Sequence, residues 1–187
     1  MNAAMQTQSR SAEDLLVATA AGDRAAFAEL YRQTAGQLLG LAQRMLRDRA
    51  AAEEVIQEGF IRIWSRAGEF QPDRGAAMAW MVTIVRNGAI DRLRKERPSV
   101  PIDAVPEREE WQDPGADPLT ITIMSAEARA LRGCLDQLDE APRRAIMLAY
   151  WHGLSHEELA QKVDAPLGTV KSWIRRGLAR LKNCLEP

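Results

Sequence analysis

One predicted helix near the C-terminus carries basic side chains at the spacing needed to contact DNA. It runs from about Leu167 to Leu185. The residues along its polar side are Lys171, Ser172, Arg175, Arg176 and Lys182, with Thr169 and Arg180 at the margin. Its apolar side consists of Val170, Ile174, Gly177, Leu178 and Leu181. Guanidinium and ammonium groups bind phosphates and base edges, so this pattern favours nucleic-acid recognition.

The residues before this helix predict the element that would position it. Ser155 and Glu158 have the spacing of a capping box, and Leu154 and Leu159 have the spacing of a hydrophobic staple. Pro166 separates the short helix that they open from the basic helix. Two helices joined in this way form a helix-turn-helix, which places its second helix in the major groove. The alternative is a helical hairpin whose basic face is only solvated.

The remainder of the chain also predicts helices, and no segment shows the alternation expected of a strand. Ser11, Asp23 and Asp48 each stand where a helix N-cap is needed. The helix that Asp23 opens has an apolar series made of Phe27, Leu30, Tyr31, Leu38, Leu41 and Met45. The other predicted helices span about residues 76–96, 120–138 and 143–151. We therefore expect an all-α fold.

A change in composition divides the chain into two small helical domains. Residues 98–128 hold seven acidic residues and one basic residue, whereas the flanking segments have net charges of +2 and +3. Five prolines, at positions 98, 101, 106, 114 and 118, fall in the same stretch. Such a composition is typical of a flexible tether. We predict an N-terminal domain over residues 1–97, an acidic linker over 98–127 and a helix-turn-helix domain over 128–187.

The predicted helix after Asp48 has apolar residues on two opposite faces rather than on one. Ile56, Phe60 and Ile63 share a face that should lie in the core. The opposite face combines apolar and polar side chains, namely Glu54, Gln57, Glu58, Ile61 and Trp64. Apolar anchors rimmed by charge are typical of a protein-docking surface. The alternative is that Trp64 folds onto a neighbouring helix.

Three segments together resemble bacterial extracytoplasmic-function (ECF) sigma factors of RNA polymerase. Residues 52–64 are similar to the helix with which that family binds core polymerase, and residues 80–95 are similar to the helix that reads the −10 promoter element. Residues 167–172 resemble the start of the family's −35 recognition helix. The resemblance covers about residues 12–97 and 128–185, in the family's order.

The resemblance implies a role for each surface. Glu54, Gln57, Glu58, Ile61 and Trp64 would bind the clamp helices of the polymerase β′ subunit, and the chain would also contact the β subunit. The loop at residues 70–77 and the following helix would read and help to open the −10 element. The residues of that helix with this role are Trp80, Arg86, Asn87, Asp91, Arg92 and Arg94. The basic helix described first would read the −35 element of promoter DNA.

Some residues leave alternatives open or depart from the family pattern. Asn87 and Asp91 lie four residues apart and suit contact with one extruded nucleotide, but a salt-bridged surface is the alternative. Trp173 stands where the family usually has arginine; it would pack toward the domain or touch a thymine methyl group. Gly177 stands where alanine is usual, although glycine is unfavourable inside a helix.

The cysteines and histidines carry weaker signals. Cys134 and Cys184 lie near two helix ends that can approach each other, so they are a candidate redox pair; otherwise they are two small buried apolar residues. His152 and His156 are four residues apart, but Gly153 separates them and no third ligand follows. We therefore expect no metal site, no cofactor and no catalytic residues.

These observations predict a non-enzymatic sigma factor that directs promoter-specific initiation and is held in check by an anti-sigma factor. The longest apolar run, Ala76 to Val85, is ten residues, about half of a bilayer span, so we expect a cytoplasmic protein without membrane insertion. The alternative function is a stand-alone helix-turn-helix regulator that binds a palindromic operator without core polymerase.

Overall fold

The computed structural model describes residues 10–96 and 126–186, and the regular elements in these ranges are helical. The predicted all-α fold is therefore confirmed. The chain divides into two compact units, Met1–Leu93 and Arg94–Pro187. The predicted acidic linker lies outside the described residues except for its last two positions, which begin a helix.

Four α-helices lie in the described part of the first unit, and each of the first three begins at a predicted cap. Their bounds are α1 Ala12–Ala20, α2 Arg24–Leu46, α3 Arg49–Arg66 and α4 Ala77–Glu96, whose last turn extends past the unit boundary. The Ser11 hydroxyl accepts from the backbone N–H of Asp14, and the Asp23 and Asp48 carboxylates accept from N–H groups in the first turns of α2 and α3. Each such cap contributes about 1 kcal/mol to stability.

The core of the first unit receives one apolar stripe from each helix. Its fully buried side chains include Leu15, Leu16, Leu30, Leu38, Ile63, Met81 and Val85. Two threonines are also buried, and their hydroxyls donate to backbone carbonyls four residues earlier, Thr19 to Leu15 and Thr34 to Leu30, at 2.7 Å. The core therefore contains hydroxyls without leaving them unsatisfied.

Helices α3 and α4 approach each other closely at Gly59. A Cβ atom at Gly59 would lie 3.0 Å from the Cγ2 atom of Val85, tighter than ordinary side-chain contact. The absence of a side chain at this point lets α4 lie directly against α3. The two helices that carry the predicted polymerase and −10 residues are thereby packed as one body.

The described part of the second unit also contains four helices. They are α5 Ala126–Asp136, α6 Glu140–His152, α7 His156–Lys162 and α8 Leu167–Leu185. The predicted capping box is present: Ser155 Oγ accepts from the Glu158 N–H at 3.2 Å, and the Ser155 N–H donates to Glu158 Oε2 at 2.6 Å. Leu154 and Leu159 are both buried, as a staple requires. The predicted helix-turn-helix is thus confirmed as α7 and α8.

The prediction that Leu178 belongs to the buried face of α8 was wrong. Val170, Gly177 and Leu181 are buried and Ile174 is half-buried, but Leu178 is 52% exposed. Each residue advances about 100° around a helix, so Leu178 lies at the edge of a stripe centred on the other four. That stripe is narrow, and α5 and α6 do not cover its edge.

Gly177 is buried because α6 passes directly over it. A Cβ atom there would lie 2.6 Å from Ile146 Cδ1 and 3.4 Å from Pro142 Cβ. The close contact between α6 and α8 explains why glycine is accepted inside this helix despite its low helix propensity.

Gly177→Ala should therefore destabilise the second unit. The new methyl group must displace Ile146 Cδ1 and also meets Pro142 Cβ. Overpacking of this kind costs about 1–3 kcal/mol, at least as much as the gain of about 1 kcal/mol in helix propensity. Adding Ile146→Val, which removes the contacting methyl group, should recover most of the loss. Hydrogen exchange of the α8 amides in the full chain measures both effects.

Gly133→Ala is the matched control, because Gly133 lies in α5 and a Cβ atom there would meet open space. This change should slow exchange slightly by raising helix propensity. If Gly177→Ala stabilised the unit as much as Gly133→Ala, close packing at Gly177 would not be the reason for the glycine.

Within the described ranges, no helix has both the length and the apolar character needed to cross a bilayer.

Candidate polymerase and nucleic-acid interfaces

The outward face of α3 presents the five residues that were predicted to bind core polymerase. Glu54, Gln57, Glu58, Ile61 and Trp64 are all exposed, with Ile61 at 68%. The opposite face of the helix is buried, as predicted, through residues 56, 60 and 63. An isoleucine this exposed among carboxylates and an amide has the composition of a docking surface rather than of a solvated face.

Trp64 combines the two alternatives left open by the sequence, because it packs on a neighbouring helix and is also accessible to a partner. Its ring packs edge-to-face on Phe27 of α2, with centroids 5.1 Å apart, yet 36% of the residue remains exposed. The contact with α2 restricts the indole without covering it. A side chain held in one orientation and still accessible loses little entropy on binding, which favours an anchoring role.

Tyr31 is a further member of this surface that sequence reasoning missed. It was grouped with the apolar series of α2, but it is 45% exposed and its ring lies 4.5 Å from that of Phe60. Tyrosine is enriched at protein interfaces, because one edge of the ring is apolar and the hydroxyl remains wet. The four-residue spacing between Phe27 and Tyr31 could have indicated this position, since it places both rings on the same side of α2, beside α3.

Helix α4 carries the predicted −10 residues on its outer side. Asn87, Asp91 and Arg94 are exposed, whereas Trp80, Arg86 and Arg92 are half-buried. Asn87 and Asp91 are one turn apart, so their polar atoms face the same space. The arrangement combines hydrogen-bonding groups with cations on one helix.

Arg92 pairs with Glu54 across the α3–α4 contact. The Nη1 atom of Arg92 donates to Glu54 Oε2 at 2.7 Å, although the two residues are 38 positions apart. This pair joins the predicted polymerase surface to the predicted −10 surface.

The segment between α3 and α4 forms an exposed loop with anchored ends. Phe70 is buried and its ring lies 6.0 Å from that of Trp80, whereas residues 71–76 are exposed. A short 3₁₀ turn spans Pro72–Arg74, and Gly75 has a φ of +144° that L-residues rarely adopt.

An ion pair precedes this loop. Arg66 donates from Nε and Nη2 to Glu69 Oε2 at 2.9 and 2.6 Å. This hydrogen bonding holds the pKa of the Glu69 carboxyl below its usual value. Glu69 consequently stays ionised, and the turn at Ala67–Glu69 keeps its pairing, to a lower pH than an isolated glutamate would allow.

Helix α8 presents its basic face outward in the second unit. Lys171, Arg175 and Arg176 are exposed, and Thr169 and Ser172 are half-buried beside them. Arg180 is also exposed, but its Nη1 atom donates to Asp139 Oδ2 at 3.0 Å, which ties α8 to the start of α6. The first half of α8 therefore offers the cations best placed for DNA.

Trp173 packs toward its own domain. It is half-buried against the apolar cluster of Leu148, Leu154, Leu159 and Val170. Of the two roles left open for this residue, the structure therefore favours packing over contact with a thymine methyl group.

Cys134 and Cys184 are joined by a disulfide bond. Their Cα atoms are 5.9 Å apart, and the bond links α5 to the last turn of α8. Leu138 and Leu181 are buried beside the sulfur atoms. The bond therefore ties α5 to the end of α8, across 50 residues of sequence.

Two solved structures align with most of the chain. Rhodobacter sphaeroides SigE, solved in complex with the anti-sigma ChrR, is 32% identical with a TM-score of 0.48, over 90% of this chain and 96% of that one. CnrH, solved with the cytosolic domain of CnrY, is 21% identical with a TM-score of 0.42, over 95% and 98% of the two chains.

Sequence comparisons identify the family. The Sigma-70 region 2 model matches residues 30–98, and the Sigma-70 region 4 model matches residues 128–181. The ECF RNA polymerase sigma factor SigK of Mycobacterium tuberculosis (strain ATCC 25618 / H37Rv) is 37% identical over 180 residues, or 92% of this chain and 93% of the relative. SigK of Mycobacterium sp. (strain KMS) is 36% identical over 177 residues, covering 91% and 89%. Two family models in order and a relative aligned along nearly the whole chain show that this protein belongs to the ECF sigma factors of RNA polymerase.

Proposed function

We propose that this chain lends core RNA polymerase its promoter specificity through three separate surfaces. It supplies no catalytic chemistry of its own and acts in the cytoplasm, where the polymerase works. The observation that carries the proposal is the exposure of Ile61 and Trp64 on the same packed body as the −10 residues of α4. A helix that binds polymerase is then fixed relative to a helix that reads DNA.

The core-binding surface is the outward face of α3, with Tyr31 at its edge. Ile61 and Trp64 supply the apolar anchors, and Glu54, Gln57 and Glu58 supply the polar rim. We assign this surface to the β′ clamp helices. Loss of one buried apolar anchor from an interface commonly costs more than about 1 kcal/mol.

The −10 surface consists of the loop at residues 70–77 and the outer side of α4. Asn87 and Asp91 offer donors and acceptors to a base extruded from the opening duplex, and Arg86, Arg92 and Arg94 bind phosphates. Trp80 supports the loop through its contact with Phe70.

The −35 surface is the first half of α8. Lys171, Arg175 and Arg176 contact base edges and phosphates in the major groove, with Thr169 and Ser172 between them. Arg180 contributes less, because the Asp139 carboxylate already accepts from its guanidinium.

An anti-sigma factor is the proposed regulatory partner. Its binding would cover the exposed apolar residues of α3 and the basic face of α8, so neither polymerase nor DNA could reach them. We expect affinity capture from native cells to recover such an inhibitor besides polymerase; recovery of polymerase alone, under all growth conditions, would contradict this part of the proposal.

Gel shifts with and without core polymerase separate the sigma-factor function from the stand-alone regulator. The free protein should bind duplex promoter DNA weakly, whereas the holoenzyme should bind it tightly and specifically. A stand-alone regulator would bind a palindromic operator equally well in both conditions. Specific binding that did not depend on core enzyme would therefore overturn the proposal.

Ile61→Asp should weaken binding to core polymerase by about tenfold or more, because it places a charge at an apolar anchor. Competition against a labelled sigma factor for core enzyme measures the change. Val17→Asp is the control, since Val17 is similarly exposed but lies on α1. Equal losses for both variants would indicate a general defect rather than a lost contact.

Arg175→Ala should weaken holoenzyme binding to a promoter fragment that carries the −35 element by about 5- to 100-fold, as expected for a bidentate arginine–guanine contact. Lys182→Ala, at the far end of α8 where Glu186 is 3.9 Å away, should change it little. Scrambling the −35 sequence should abolish the difference between wild type and Arg175→Ala. If the difference persisted on scrambled DNA, Arg175 would be a phosphate contact only.

We further infer that the pair of cysteines responds to redox conditions. Thiol titration of the unfolded chain should find no free thiol after mild oxidation and two after reduction. Reduction should lower the stability of the second unit by about 2–4 kcal/mol, the usual contribution of a disulfide. A Cys184→Ser variant should show no such sensitivity, and a wild type equally stable in both states would exclude a switch.

A further inference from the structure

Helix α4 begins without a capping side chain of its own. The carbonyl of Ala76 accepts from the Trp80 N–H at 3.2 Å, so Ala76 occupies the N-cap position. Its methyl side chain offers no acceptor. The first N–H groups of a helix have no partner within the helix and need one from elsewhere.

Glu13 of α1 supplies that partner from 64 residues away. Its Oε1 atom accepts from the N–H of Ala77, the first residue of α4, at 3.0 Å. Glu13 is also the second residue of α1. The carboxylate is thus close to the N-terminal ends of two helices, both of which favour negative charge.

The element that carries Glu13 is itself fixed in the core. Leu15 and Leu16 of α1 are fully buried, and the Ser11 cap holds its first turn. The hydrogen bond therefore connects the start of α4 to a well-anchored helix. It constrains the place where the loop at residues 70–76 passes into α4.

This loop depends on its two ends for its position. At its start, Phe70 is buried against Trp80. At its end, the Glu13 carboxylate binds the first N–H of α4. The exposed residues between these points include Gly75, whose positive φ marks a backbone that other residues would strain.

We propose that Glu13 is a positioning residue for −10 recognition, although it lies outside every surface described above. This inference rests on the proposed −10 role of the loop and α4. Glu13 sets the direction in which α4 leaves the loop, and so holds the loop backbone and the first turn of α4 in place to receive a base.

The test compares wild type with Glu13→Ala, Glu13→Gln and the double variant Glu13→Ala/Ala76→Ser. Holoenzyme reconstituted with each variant is assayed for retention of a single-stranded −10 oligonucleotide, and affinity for core enzyme is measured in parallel. Glu13→Ala should weaken retention by about fivefold, which corresponds to the net contribution of one hydrogen bond, with core affinity unchanged.

Glu13→Gln should retain most of the function, because its amide oxygen still accepts a hydrogen bond. Ala76→Ser should not rescue Glu13→Ala, since serine at the N-cap position caps α4 locally but does not restore its link to α1. Asp14→Ala is the matched control: it removes the neighbouring carboxylate, which accepts from the Ser11 hydroxyl, and should leave retention unchanged.

Unchanged retention in Glu13→Ala would overturn the proposal, and so would a parallel loss of core affinity or a full rescue by Ala76→Ser, which would show that local capping alone is needed. These results differ from failure of the −10 assignment itself. In that case the wild-type holoenzyme would not retain the oligonucleotide, or Asn87→Ala would retain it as well as wild type.

Discussion

Burial of one apolar stripe on each helix is the interaction on which both units depend, and it also decides which side chains remain available to partners. In α3, burial of Phe60 and Ile63 leaves Ile61 and Trp64 on the outside. In α8, burial of Val170 leaves Lys171 exposed. The proposed binding surfaces need no special geometry, because each is the side of a helix that faces away from the core.

The pair of Arg92 and Glu54 adds a further constraint to the first unit. Each residue belongs to a different proposed surface. A partner that binds at either surface therefore competes with the ion pair for one of its two charged groups. An exposed ion pair contributes only about 0–1 kcal/mol. Polymerase or a phosphate can therefore replace it at little cost, and the two surfaces can be engaged together once both partners are present.

Local features were predictable from the sequence, and contacts between distant residues were not. The caps at Ser11, Asp23 and Asp48 and the capping box at Ser155 involve residues within three positions of each other, so their spacing is visible in the chain. The bond from Ala77 to Glu13 spans 64 positions. It depends on how α1 packs beside α4, which no local pattern encodes.

The edges of the buried helix faces were also not predictable from the sequence. Leu178 was assigned to the core and Tyr31 was not recognised as exposed, because the width of a buried stripe is set by the helices that cover it rather than by the stripe itself. The Cys134–Cys184 pair shows the same limit. Sequence left two roles open, and only the distance between α5 and α8 distinguishes them.

The disulfide has a topological consequence for the second unit. It closes a covalent ring that contains α6, α7 and nearly all of α8, including the basic face. A protease that cuts once inside this ring does not release a fragment, because both pieces stay joined through sulfur. While the bond is intact, the helix with the basic face remains attached to the rest of the molecule in a nicked chain.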